Sequence, residues 1–172
     1  LLKKFLPNEH VERILDISPE ELKKKGIKGV ITDLDNTLVA WDVVDATPEV
    51  IAWFQLMKEH DIKVTIISNN DKERVSIFSE PLDTPFVYAA RKPLWKAFKK
   101  ASSQMGLKKE EVVVVGDQIL TDVLGGNMAG LRTILVVPIV HTDGKWTRIN
   151  RLIERRILRF MRRKGMINWE EK

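Results

Sequence analysis

Five short apolar runs punctuate the chain: Gly29-Val30-Ile31-Thr32-Asp33-Leu34, Lys63-Val64-Thr65-Ile66-Ile67, Phe86-Val87-Tyr88, Val112-Val113-Val114-Val115 and Thr133-Ile134-Leu135-Val136-Val137. Each is rich in β-branched residues and lacks polar alternation, the pattern of strands buried on both faces. The stretches between them carry helix punctuation. Ser18-Pro19-Glu20-Glu21 supplies an N-cap with proline at the first helical position, and Lys25-Gly26 closes that helix. Thr47-Pro48-Glu49 opens a second helix to about His60, and Asp71 to Ser79 reads as a third. Lys92-Pro93 leads into a fourth that ends near Met105, and a glycine-containing helix fills the gap between the last two strands. Leu1 to Glu9 reads as a short basic-apolar lead. Strands alternating with helices predict an α/β fold with a doubly wound parallel sheet, whose ligands bind beyond the carboxyl ends of the strands.

Composition narrows the chemistry. The 172 residues suit one domain with a sizeable core, and the 44% hydrophobic and 31% charged content is that of a globular protein. There is no cysteine, which excludes disulfides, a thiolate nucleophile and cysteine zinc sites, and fits a cytoplasmic location. His10, His60 and His141 show no metal-ligand spacing and read as surface or capping residues. No apolar run approaches the length of a membrane span. The net charge of +5 is concentrated in residues 148–164, with eight basic residues against one acidic. This compositional break divides the chain into 1–147 and a basic amphipathic helix or tail, 148–172, of the same domain.

Four loci at strand carboxyl ends carry chemistry. Asp33-Leu34-Asp35-Asn36-Thr37-Leu38 ends the first strand, and residues two apart in extended chain address one side, so Asp33 and Asp35 can share a cleft. Two close carboxylates need a cation or split protonation. Taken alone, the segment reads equally well as a solvated turn. Ser68-Asn69-Asn70 follows the second strand, with groups that can hold phosphate oxygens or cap the next helix. Lys92 stands where a helix dipole opposes a cation, so an anionic partner is expected. Gly116-Asp117-Gln118, followed by Thr121-Asp122, ends the fourth strand, and Asp33 with Asp117 offers oxygen ligands to a hard cation such as magnesium. Gly125-Gly126-Asn127-Met128-Ala129-Gly130 is no dinucleotide loop, because it precedes a strand instead of following one; its small residues fit close helix–sheet packing.

With these four loci in this order, the sequence resembles the haloacid dehalogenase (HAD) superfamily of phosphatases over roughly Val30 to Val137. The run Gly116 to Asn127 further resembles the YqeG-type enzymes of subfamily IIIA, which are similar to phosphatidylglycerophosphate phosphatases. The resemblance implies Asp33 as nucleophile and magnesium ligand, Asp35 as acid and base with its carbonyl on the metal, and Ser68 and Asn69 on the substrate phosphate. It further implies Lys92 neutralising the phosphoryl group, Asp117 as metal ligand and Asp122 in support. The intervals after the first two motifs leave room only for a flap, Val39 to Ala46, and one strand-helix unit, so no cap domain is expected. An open site suits macromolecular or surface-bound phosphates, or takes a lid from a partner or from a second copy in a homo-oligomer. Trp41 is expected either to meet substrate or to pack beneath the flap.

Phosphatidylglycerophosphate, a lipid, is the leading substrate expectation, with another small or macromolecular phosphate ester as the alternative. In the tail Ile149, Leu152, Ile153, Ile157, Phe160 and Met161 fall on one side and most arginines on the other. That helix is expected to dock on its own domain, to lie on an anionic membrane through 148–164, or to meet nucleic acid. Two readings of another class stay open: a phospho-switch, disfavoured because no aspartate ends the third strand near Tyr88, and a non-catalytic protein binding RNA or a partner.

Overall fold

The computed structural model describes residues 2–140 and 145–168, with side chains from 149 onward in the second stretch; His141 lies outside the described residues. Six strands form one wholly parallel sheet: β1 (Glu9–Val11), β2 (Gly29–Thr32), β3 (Lys63–Ile67), β4 (Phe86–Val87), β5 (Val112–Gly116) and β6 (Arg132–Val136). Their order across the sheet is β1-β6-β5-β2-β3-β4. The chain leaves β2 towards β3 on one side and reaches β5 on the other, so the crevice of the topological switch opens at the end of β2. Asp33 stands there.

The helices are α1 (Pro19–Lys24), α2 (Pro48–Glu59), α3 (Lys72–Ser79), α4 (Trp95–Met105), α5 (Leu124–Ala129) and α6 (Lys145–Arg163). Three start on the caps their sequences announce. Ser18 Oγ accepts the Glu21 N–H at 3.2 Å, Thr47 Oγ1 that of Val50 at 3.3 Å and Asp71 Oδ1 that of Arg74 at 2.9 Å. His60 ends α2, its Nδ1 3.0 Å from the Leu56 carbonyl oxygen, as a capping residue should be. The fourth helix starts later than expected. It begins at Trp95, so Lys92 lies in the loop before it and not in its first turn.

Strand residues alternate between two cores, the mark of a sheet covered on both faces. Val30, Ile66, Val113, Val115, Ile134 and Val136 pack with Leu22 of α1, Trp53, Phe54 and Met57 of α2, and Phe78 of α3. Ile31, Ile67, Val112 and Val114 pack with Phe98, Ala101 and Met105 of α4 and Ala129 of α5. A methyl group on Gly126 would lie 2.6 Å from Thr133 Cγ2, so α5 approaches the sheet as its small residues predict.

The amino-terminal lead carries more structure than its composition suggests. Its edge strand β1 pairs with β6, and Asn127 holds the preceding turn through the carbonyl oxygens of Lys4 at 2.8 Å and Leu6 at 2.9 Å. Three residues of mixed polarity give no run to read.

The last helix also differs from expectation. The boundary drawn at 147/148 falls in the first turn of α6, and the expected apolar side is split between two faces. Leu158 and Met161, with Ile157 partly buried, pack on Ile119, Val123 and Leu135, alongside Phe5 and Leu6. Ile149, Leu152, Ile153 and Phe160 point away and are exposed. Among the described residues no helix is long and apolar enough to cross a membrane.

Candidate active site

The loop after β2 begins with the Asp33 N–H donating to the Val115 carbonyl at 2.9 Å, which extends the sheet by one bond. The chain then turns sharply. Asn36 adopts a left-handed φ of 64°, a conformation that asparagine tolerates better than most residues, and its N–H donates to Val39 at 2.7 Å. Asp33 and Asp35 thus sit on one edge of the sheet but face different partners.

Asp33 Oδ1 accepts from Lys92 Nζ at 2.5 Å, and the same ammonium donates to Asp122 Oδ1 at 2.7 Å. Lys92, only 8% exposed, is fixed from behind by Asn69. The Asn69 Oδ1 accepts the Lys92 N–H at 2.6 Å and its Nδ2 donates to the Lys92 carbonyl at 3.3 Å. The Asn69 side chain is therefore turned to the lysine backbone and not to the cleft, unlike the phosphate contact expected of it. Ser68 is buried, and its Oγ accepts the Asn70 N–H at 3.0 Å, which leaves its proton to donate. The N-cap of α3 is Asp71, so Ser68 has no capping duty.

The loop after β5 supplies the other acids. Asp117 Oδ1 accepts from Thr37 Oγ1 at 3.3 Å. A wide π-helical turn, Ile119–Val123, brings Asp122 back so that its Oδ2 accepts the Gln118 N–H at 3.1 Å. Such turns are rare and recur at functional sites. Gly116 is needed here because a β-carbon would collide with the Asp122 carboxylate.

Among the described residues, Asp33, Asp117 and Asp122 form a buried group whose ligand oxygens lie within 4.8 Å of one another. Two cations face these three carboxylates: Lys92, and Arg151 from α6. Arg151 Nη2 donates to Asp117 Oδ2 at 2.5 Å and its Nη1 to the Asp117 carbonyl at 3.2 Å. An all-oxygen, net-anionic donor set of this kind fits a hard divalent cation. Beside it Glu154, also on α6, accepts the Leu120 N–H at 2.9 Å.

Proton affinities follow from burial in this field. Burial pushes the Asp33 carboxyl well above its ordinary value; Lys92 opposes this, while Asp122 and Asp117 add to it. Burial alone would lower the Lys92 ammonium, but Asp122 and Asp33 outweigh it and hold the group above its ordinary value. Asp117 is pushed up to about 6 by burial, against the pull of Arg151. Glu154 is pushed up to about 7, again by burial, against the Leu120 N–H and Arg151.

Asp35 is held by a separate set of partners. Its Oδ1 accepts from Arg74 Nη2 at 2.9 Å and Nε at 3.2 Å, and its Oδ2 from Asn70 Nδ2 at 3.2 Å. The flap beyond it leaves Trp41 45% exposed, with Val43 and Val44 also exposed, so Trp41 does not pack underneath. Arg74, Arg151 and Glu154 were not anticipated from sequence. Each is a single charged residue on a helix, brought to the site by contacts at sequence separations of 34 or 39.

The chain has relatives among known proteins. A family model for HAD-like hydrolases matches residues 89–146. The chain is 62% identical over 172 residues to the probable phosphatase YqeG of Bacillus subtilis, covering 99% of this chain and all of that protein. It is 29% identical to phosphatidylglycerophosphate phosphatase 1 of Arabidopsis thaliana, covering 94% of this chain and 49% of that one. The cobalt-bound deoxy-D-mannose-octulosonate 8-phosphate phosphatase of Haemophilus influenzae superposes with a TM-score of 0.57 at 18% identity, over 80% of this chain and 90% of the other, a likeness of fold. The chain belongs to the YqeG family of phosphatases, within the HAD-like hydrolases.

Proposed function

We propose that the chain is a magnesium-dependent phosphomonoesterase working through an aspartyl-phosphate on Asp33. The observation that carries the reading is the buried Lys92 ammonium between Asp33 and Asp122, next to Asp117, at the switch point of the sheet. A magnesium ion bound by Asp33, Asp117 and the backbone carbonyl of Asp35 would supply positive charge against the phosphoryl oxygens.

The chain's own residues do the rest. An Asp33 carboxylate oxygen donates its electron pair to phosphorus as the bond to the leaving oxygen breaks. Asp35 gives that oxygen a proton, then takes one from the water that cleaves the acyl phosphate, which regenerates both carboxyl groups. Lys92 and the Ser68 hydroxyl donate to the phosphoryl oxygens, where charge moves during transfer. Asp122 and Asn69 hold Lys92 in place.

The test is hydrolysis of 4-nitrophenyl phosphate with magnesium, with chelator, and by Asp33→Asn. Loss of turnover in the last two, with beryllofluoride trapped on Asp33, is the expected result. Near-parental turnover by Asp33→Asn overturns the mechanism.

For substrate, we infer an anionic lipid phosphate met at the inner face of the cytoplasmic membrane. Three observations support this: the Arabidopsis relative's name, the exposed Trp41, Val43 and Val44 on the flap, and the outward face of α6. On that face Ile149, Leu152, Ile153 and Phe160 are exposed beside the exposed Arg155, Arg156, Arg159 and Arg163. Arg151 is not part of it, being turned to Asp117. Each basic residue near an anionic surface contributes about 1 kcal/mol. Replacing those four arginines by glutamine is expected to abolish sedimentation with phosphatidylglycerol vesicles and to spare 4-nitrophenyl phosphate. Absence of parental vesicle binding overturns the surface assignment and leaves the phosphatase reading intact.

A further inference from the structure

The Arg74 guanidinium divides its hydrogen bonds between two parts of the mouth. Nε and Nη2 hold Asp35 Oδ1, while Nη1 donates at 3.0 Å to the carbonyl of Val44, in the flap. Its side chain is 14% exposed and that of Asp35 22%, so this pair is better shielded than most surface ion pairs. Arg74 lies in the first turn of α3, three residues after the N-cap Asp71, where the helix dipole disfavours a cation. Local helix energetics therefore do not account for an arginine there; the two acceptors do. Phe78, one turn on, backs the guanidinium with its ring centroid 5.9 Å from Cζ.

We propose that Arg74 is a positioning residue that fixes the orientation of Asp35 and ties it to the seating of the flap over residues 39–46. This rests on the reading of Asp35 as acid and base. Asp35 belongs to a loop, where packing leaves a carboxylate more freedom than in a strand, and misplacement of a proton donor by about 1 Å can cost about 100-fold in rate. A planar fork that bonds carboxylate and flap carbonyl together removes that freedom only while the flap is seated. Asn70 completes the grip on the second oxygen. Proton delivery is thereby linked to flap closure on the leaving group.

The experiment uses the full chain with magnesium and compares Arg74→Gln, Arg74→Lys, Asp35→Asn and Asp35→Asn/Arg74→Gln. Substrates are 4-nitrophenyl phosphate and glycerol 3-phosphate, with acid-quenched phosphoenzyme and a melting curve recorded for each variant. Arg74→Gln is expected to lower kcat on the alkyl phosphate about 10–100-fold with KM within about twofold. Phosphoenzyme formation from the nitrophenyl ester should suffer less, since that leaving group needs little protonation. Lysine should rescue poorly, because a point ammonium cannot span both acceptors. The double variant should be no slower than Asp35→Asn, as expected when one residue acts through the other. Amide exchange over residues 43–46 should quicken in Arg74→Gln. Additive losses in the double variant, or a rise in KM alone, overturn the positioning role. Unchanged exchange in the flap overturns the coupling. If Asp33→Asn remains active, the aspartyl-phosphate mechanism falls and this proposal with it; if only additivity is seen, that mechanism stands.

Discussion

Lys92 balances the charge of the site at the scale of one residue. Its ammonium touches two buried carboxylates, and removal of one partner from a buried ion pair costs about 3–5 kcal/mol. Lys92→Ala is therefore expected to lose stability in urea denaturation at pH 8 as well as turnover. The deficit should shrink on acidification, because a protonated Asp33, whose proton affinity burial raises, no longer needs a counter-charge. Glu154 offers a cleaner titration. Its folded pKa of about 7 lies above the unfolded value of 4.5, so the stability it contributes is complete below about 4.5 and lost as pH rises through 7. Wild type is expected to lose about 3 kcal/mol from this group between pH 4.5 and 8. Glu154→Gln should abolish that slope in denaturation curves recorded across the range.

At the scale of elements, α6 is held by a narrow face: Leu158, Met161 and partly Ile157, with Arg151 and Glu154 reaching the loop after β5. Met161 is fully buried, so Met161→Ala should cost about 2–5 kcal/mol. If α6 also steadies Asp117, this variant should weaken binding of the divalent cation by calorimetry, with no change at any ligand. The element scale is also where sequence reading succeeds and fails for visible reasons. Strands β2, β3, β5 and β6 are legible because valine and isoleucine runs between two helical layers cannot be mistaken for exposed chain. Ser18, Thr47 and Asp71 are legible because capping is local chemistry. Edge strand β1 is hidden because Glu9-His10-Val11 gains its pairing from β6, which lies more than a hundred residues away. The helical period of α6 was visible, but Arg151 and Glu154 shift its docking face away from the apolar side, and no count of apolar positions reveals that. Arg74 looks like any helix cation until Asp35 folds against it.

For the whole molecule, the carboxylates at the switch point make stability depend on what they bind. A cation that binds only the folded chain adds about 2.7 kcal/mol at 100 times its dissociation constant. For a chain of this length that is about 5–10 °C in melting temperature. Magnesium is expected to raise the melting point of wild type and to leave Asp117→Asn unmoved, and a thermal scan reads this without any turnover. An equal shift in both would place the cation elsewhere. Closure of the sheet at β1–β6 brings the lead and α6 into one apolar cluster beneath the loop after β5. The two chemically quiet ends of the chain thus buttress the acidic loop.

The contact from Arg151 to Asp117 also bears on how the protein is made. Ribosomes deliver the chain amino end first at about 5–20 residues per second, and Arg151 follows Asp117 by 34 positions. The guanidinium that offsets Asp117 is therefore synthesised about 2–7 s after the carboxylate it serves. During that interval the nascent chain already carries Asp33, Lys92, Asp117 and Asp122, with one cation set against three acids. A chain ending between 137 and 151 would thus hold all six strands and the acidic loop but leave Asp117 without its arginine.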